Sequence, residues 1–151
     1  MYSASLHSPR LCVKWVFMKI LDRTESLALL GELRVLRLAG YDTERAACYA
    51  VPLAFALADD GTVLIAVRAD GRMAHLLHNQ RRGICLEADD VRPDLSFRSV
   101  IGTVDVHSAD ASSTLAALET RYGANWERWR PTGAVAAFRL EWTSLQGREK
   151  R

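Results

Sequence analysis

Apolar and polar positions alternate in short runs along most of this chain, and the runs change period at regular intervals. Residues 33–38 (LRVLRL) mix apolar and basic side chains at roughly period two, the spacing of a half-buried strand. Residues 47–57 (ACYAVPLAFAL) form an apolar run that carries Pro52. A proline inside a strand implies an edge, a bulge or a position that needs no donor. Asp59-Asp60-Gly61 is a hairpin turn signal, and residues 62–67 (TVLIAV) are the returning strand. Residues 83–88, 97–106 and 135–142 read as three further strands, with a bend at Gly102 inside the second of them, while 40–45 reads as a polar connection and 89–96 as an acidic loop with Pro93.

Helical spacing interrupts this pattern in three places. Asp22-Arg23-Thr24-Glu25 has the form of a capping box ahead of a short helix over 24–31, which Gly31 ends. Over 70–80, Met73, Leu76 and Leu77 fall at i, i+3 and i+4 on one face. Residues 111–122 form the third helix, with Gly123 just past its end. The order is helix, three strands, helix, two strands, helix, strand. It predicts an α+β fold: a small antiparallel barrel of about six strands with two or three helices at its margins.

Composition narrows the function classes. The 151 residues fit one domain, 49% of them are hydrophobic, and the net charge is +2. That charge argues for neither nucleic acid nor an anionic membrane as partner. Cys12, Cys48 and Cys85 are odd in number and widely spaced, which speaks against a zinc finger or a disulfide framework and for reduced thiols in a cytoplasmic protein. Residues 11–20 are apolar but broken by Lys14 and Lys19, about half the length that spans a bilayer. Residues 1–17 read as an extension, disordered or lying before a true start at Met18, and 18–151 as the domain; the other reading is an apolar arm that docks on a partner subunit.

Several segments in order resemble a known family. Val51-Pro52-Leu53-Ala54-Phe55, Asp59-Asp60-Gly61, Gly71-Arg72-Met73, Cys85-Leu86-Glu87 and Phe97-Arg98-Ser99-Val100 follow one another as in the FMN-binding split β-barrels of the pyridoxamine 5'-phosphate oxidase-like superfamily. The chain looks most like the nitroimidazole-resistance branch, over roughly residues 20–149. The resemblance implies a homodimer with FMN in clefts between the subunits. It also implies an oxidoreductase acting on a small molecule such as a nitro compound, with reduced nicotinamide as electron donor. Other members bind deazaflavin or haem.

The same resemblance assigns site residues. Arg68 and Arg72 flank the junction at Gly71 and would hold the FMN phosphate through bidentate guanidinium contacts and the helix N-terminus; otherwise they are solvated arginines beside Asp70. The family's His-Ser pair is Ala66-Val67 here, and its lysine after Gly-Arg is Met73. Each missing contact would cost about ten- to a hundredfold in affinity, so a ligand-binding dimer with a degenerate flavin site is the competing reading. Ala50, Val51, Pro52 and Leu53 would place backbone groups against the flavin's pyrimidine edge. Ser99 either donates to the flavin or faces solvent. Trp126 and Trp129 either cover the ring from the second subunit or plug the barrel rim. His75 and His78 lack a third ligand nearby, so no metal site is assigned. No hydrolase, metalloprotease, Walker or Rossmann motif occurs, and no side chain is assigned as a catalytic acid or base.

Overall fold

A computed structural model describes residues 17–151, so the readings made for residues 1–16 lie outside the described residues. The elements in order are β1 (Met18–Leu21), α1 (Arg23–Glu32), β2 (Leu36–Asp42), β3 (Ala47–Leu53), β4 (Ala56–Leu57), β5 (Val63–Arg68), α2 (Arg72–Asn79), β6 (Ile84–Val91), β7 (Phe97–Ser108), α3 (Ala111–Tyr122) and β8 (Val135–Lys150). All pairings are antiparallel, in the order β3-β2-β6-β7-β8-β5-β4, with β1 added on β8. The α+β class stands, with eight strands among the described residues where the sequence predicts about six.

Two causes account for the extra strands. Residues 18–21 pair with residues 147–150 at the far end of β8. The apolar run 47–57 divides because the Phe55 backbone leaves the ladder: its N–H donates to the Tyr122 hydroxyl at 3.0 Å. Two polar stretches also turn out to be strand. Asp89 and Asp90 pair with Ser99 and Arg98, and β2 runs on to Asp42. Helix α1 has the expected capping box, with Asp22 accepting from the Glu25 N–H at 2.8 Å and Glu25 accepting from the Asp22 N–H at 3.0 Å. Among the described residues no helix is long and apolar enough to cross a membrane.

The sheet curls until its two ends share one core. Three strands separate Leu36 and Leu38 of β2 from Val63 and Ile65 of β5, yet all four are fully buried in the same cluster. Leu29 and Leu30 of α1 and Met73, Leu76 and Leu77 of α2 plug that cluster. The other face of β5 carries Ala66, which packs with Leu118 of α3 and Trp126 in a second, smaller cluster. Pro52 sits on β3, an edge strand, where its missing N–H leaves no ladder position empty.

The curl depends on β7 and β8. Residues 135–140 of β8 pair with β5, residues 147–150 pair with β1, and β7 follows β8 along its whole length. A register shift falls between Thr103 and Val104. Beside it, Gly102 approaches Ser144 so closely that an added Cβ would overlap the Ser144 carbonyl oxygen and lie 2.9 Å from the Trp142 ring. Helix α2 is then tied to the end of β2. Buried Asp42 accepts from Arg72 Nε at 2.7 Å and from the Arg45 N–H at 3.3 Å.

Gly102→Ala should cost at least about 2 kcal/mol, because backbone on both sides must move. An unchanged denaturant midpoint would contradict the close approach. The Arg72 guanidinium also holds the Asp42 carboxyl below the usual carboxylate range. A depressed folded pKa stabilises the fold fully above the unfolded value, about 3.9 for Asp, and loses that contribution as the pH drops through the folded one. Wild type and Asp42→Asn should therefore differ in Tm at neutral pH and converge below about pH 4. A gap of constant size into acid would refute the ion pair's role.

Candidate functional site

Strand β5 ends in a tight turn into α2. The Gly71 N–H donates to the Arg68 carbonyl at 3.0 Å, and the Ala69 N–H donates to Ala134 at 2.8 Å. A Cβ at Gly71 would sit 3.1 Å from the Arg68 carbonyl oxygen, so a larger residue would crowd the turn. Gly71 is also the N-cap of α2 and offers no side-chain acceptor. The first-turn amides of the helix thus keep their capacity to bind an anion.

That helix start opens onto a cleft of about 260 Å³. One wall is β3, whose alternation puts Tyr49, Val51 and Leu53 on the cleft side. The second is the end of β5 with the start of α2: Ala66, Val67, Arg68, Gly71, Arg72 and Met73. Trp129 and Pro131, from the segment after α3, form the third side. One end is cationic and the rest largely apolar.

Both guanidinium groups already have carboxylate partners, of very different kinds. Arg72 gives its Nε to buried Asp42, and its guanidinium lies 4.0 Å from the Tyr49 ring centroid. Held by Nε, it keeps its two terminal nitrogens for a further acceptor. Arg68 donates from Nε at 3.0 Å and Nη2 at 2.8 Å to Asp70. Their mutual hydrogen bond raises the Arg68 pKa and lowers that of Asp70. These two side chains are 56% and 73% exposed, so the pair contributes little and opens readily for a more highly charged ligand.

Of the residues the sequence singles out, the cleft gathers Arg68, Arg72, Val51, Leu53, Ala66, Val67 and Met73. Ala66, Val67 and Met73 are buried, so they supply apolar floor where the family pattern has polar donors. Ala50 and Pro52 alternate onto the opposite, exposed face of β3. Ser99 stands on β7 opposite Asp89 and Arg148, far along the sheet from the cleft walls. Trp126 is buried and stacked on Tyr122 at 6.1 Å, as a plug beneath α3. Trp129, 42% exposed, is the tryptophan that reaches the cleft. His75 pairs with Glu44 at 2.8 Å, and His78 sets its ring 5.2 Å from that of Phe138.

Asp42 and Tyr49 are the residues that sequence reasoning misses. Tyr49 carries a usable signal, because it lies two positions before Val51 on the same strand face. Asp42 carries none. It stands 30 residues from Arg72, and only the fold brings them together.

The fold recurs among solved proteins. An FAD-binding protein from Mesorhizobium loti superposes with a TM-score of 0.74 at 18% identity, covering 90% of this chain and 98% of that one. The FAD-binding protein from Mycobacterium smegmatis gives 0.68 at 21% identity, covering 88% and 98%. A candidate 5-nitroimidazole antibiotic resistance protein from Bacteroides thetaiotaomicron gives 0.66 at 13% identity, covering 89% of each. No curated protein sequence matches the chain. Residues 22–149 match the sequence model of one family, described as pyridoxamine 5'-phosphate oxidase. With that span of the chain accounted for, and with the antiparallel sheet and the strand-to-helix cleft in place, the chain belongs to the pyridoxamine 5'-phosphate oxidase family.

Proposed function

We propose that the cleft binds a flavin nucleotide, FMN in the simplest case, and that the protein is an oxidoreductase acting on a small molecule. The observation that carries this is the cleft's polarity. An anion site made of uncapped helix amides, Arg68 and the free edge of Arg72 adjoins an apolar wall of Tyr49, Val51 and Leu53. A phosphate attached to a flat apolar ring system needs that pair of environments side by side. A bound flavin supplies hydride and electron transfer between a reduced nicotinamide donor and an acceptor such as a nitro compound. The chain's own residues bind and orient: Arg72, fixed by Asp42 and Tyr49, sets the phosphate position, and Arg68 leaves Asp70 to complete it. Trp129 and Pro131 keep water from one edge of the ring slot. FAD-binding relatives of the same fold support the reading.

The cleft is open on one side, which favours a second copy of the chain as the missing wall. The homodimer expected from the resemblance fits this geometry. Deazaflavin would use the same cationic end. Haem is the other ligand that this cleft could take, with Tyr49 the lining side chain able to reach an iron. The competing reading, a dimer whose flavin site is degenerate, draws on two observations: Ala66, Val67 and Met73 are buried apolar side chains where the family pattern has polar donors, and Asp42 and Asp70 already pair with the two arginines. Competition of this kind lowers phosphate affinity.

Arg68→Ala should weaken FMN binding by about ten- to a hundredfold while leaving riboflavin, which has no phosphate, little changed. Fluorescence titration of both flavins tests it. Equal losses for the two would remove the phosphate from the Arg68 end, and no quenching of either by wild-type protein would favour the degenerate site. Sedimentation of the wild-type chain should show a dimer; a monomer at micromolar concentration would leave the cleft one-sided.

A further inference from the structure

The β6–β7 hairpin ends in a turn that puts an apolar side chain where glycine is favoured. The Arg92 N–H donates to the Ser96 carbonyl at 2.9 Å, and the Leu95 N–H donates to the Arg92 carbonyl at 2.9 Å. Leu95 takes a φ of +64°, a left-handed conformation that strains a side chain of its size. Asp94 locks the turn, accepting from the Ser96 N–H at 3.0 Å and the Ser96 hydroxyl at 2.6 Å. No packing offsets the strain, because Leu95 is 71% exposed. The turn projects beyond the last paired row of the hairpin, Val91 with Phe97.

That row runs on across the sheet. Phe97 pairs with Lys150, and Lys150 with Met18. Paired residues point to one face, so Val91, Phe97, Lys150 and Met18 stand side by side. Two positions along, the same face carries Asp89, Ser99, Arg148 and Ile20. Between the two rows, Ala88 and Val100 alternate the other way and are buried in the core. Met18, Ile20 and Val91 are exposed and lie with Leu95 at one end of the sheet's outer face. A contiguous exposed apolar patch of this kind marks an interaction surface.

The charges around the patch are unbalanced. Asp89 is bonded to Arg37 at 2.7 Å, Asp90 to Arg98 at 3.3 Å and Glu149 to Arg151 at 2.8 Å. Arg148 donates to the Gln146 side-chain oxygen at 2.6 Å. Among the described residues, neither it nor Arg92 nor Lys150 has a carboxylate within ion-pair reach, and Asp94 is the one acid set against these three cations. The chain's net charge of +2 conceals this local excess.

We propose that this end of the sheet docks on an anionic lipid surface, with Leu95 and its apolar neighbours entering the headgroup region and Arg92, Arg148 and Lys150 meeting lipid phosphates. Apolar side chains flanked by arginine and lysine are the chemistry of an interfacial membrane contact. A projecting tip suits a deformable interface, whereas a protein partner would need a hollow shaped to receive it. No residue of the flavin cleft takes part, so the inference stands apart from the function proposed above.

The test is cosedimentation of the whole chain with sucrose-loaded vesicles of phosphatidylcholine, alone or mixed with phosphatidylglycerol. Binding should be confined to the anionic vesicles and should fall with added salt. Arg92→Gln and Lys150→Gln should each weaken it about fivefold. Leu95→Gly should weaken it about tenfold or more while leaving Tm unchanged or higher, because glycine takes this φ freely. That combination separates a lost membrane contact from a lost fold. Equal binding to both kinds of vesicle, binding to neither, or full binding by Leu95→Gly would each overturn the proposal. Capture of the chain by immobilised polyglutamate without vesicle binding would assign the surface to an acidic protein and overturn it as well.

Discussion

The β7–β8 ladder holds the molecule's shape. Strand β8 serves three neighbours: β7 along one edge, and β5 and then β1 along the other, with a register shift against β7 beside the close approach of Gly102 to Ser144. The sheet curls closed along this ladder, so side chains from distant strands meet in one core around α1 and α2. The cleft follows from that closure. Its β3 wall and its β5–α2 wall are far apart in the sheet order and face each other only because the sheet is curled.

Within the cleft, burial sorts the two arginines into different tasks. Asp42 is buried and Arg72 is partly covered, so separating them would leave a charge without its partner in a poorly solvated place. Arg72 is therefore fixed, and its stacking on Tyr49 fixes it further. Arg68 and Asp70 are both largely in water, where an ion pair has little to hold it. A doubly charged phosphate beside helix amides competes well with a single exposed carboxylate. In the flavin reading proposed above, one arginine is a template and the other a gate, although they stand four residues apart on the same turn. The apolar floor at Ala66, Val67 and Met73 has a matching cause. These side chains belong to the core clusters, and polar donors there would have to be buried.

Much of the fold was legible in local pattern. The capping box at Asp22 and Glu25, the turn at Gly61 and the helix over 111–122 all lie where the sequence predicts them, since each depends on neighbours within a few positions. The missed strands depend on distant partners. Asp89 and Asp90 look like loop because they are acidic, yet Arg98, paired with Asp90 and Glu32, makes a strand there tolerable. Residues 18–21 become a strand only because residues 147–150 extend β8 beside them.

The sequence by itself determined the three helices, most of the strands and the pair of arginines around Gly71, because periodicity, turn chemistry and helix starts are written within short windows. It carried the family as well, through an ordered series of segments. Tertiary structure alone decided which side chains share the cleft. Strand alternation sent Val51 and Leu53 inward and Ala50 and Pro52 outward, and packing beneath α3 buried Trp126 and left Trp129 at the cleft. Closure of the sheet set Asp42 against Arg72. Contacts between residues tens of positions apart are fixed by how the sheet curls, and no local window records that.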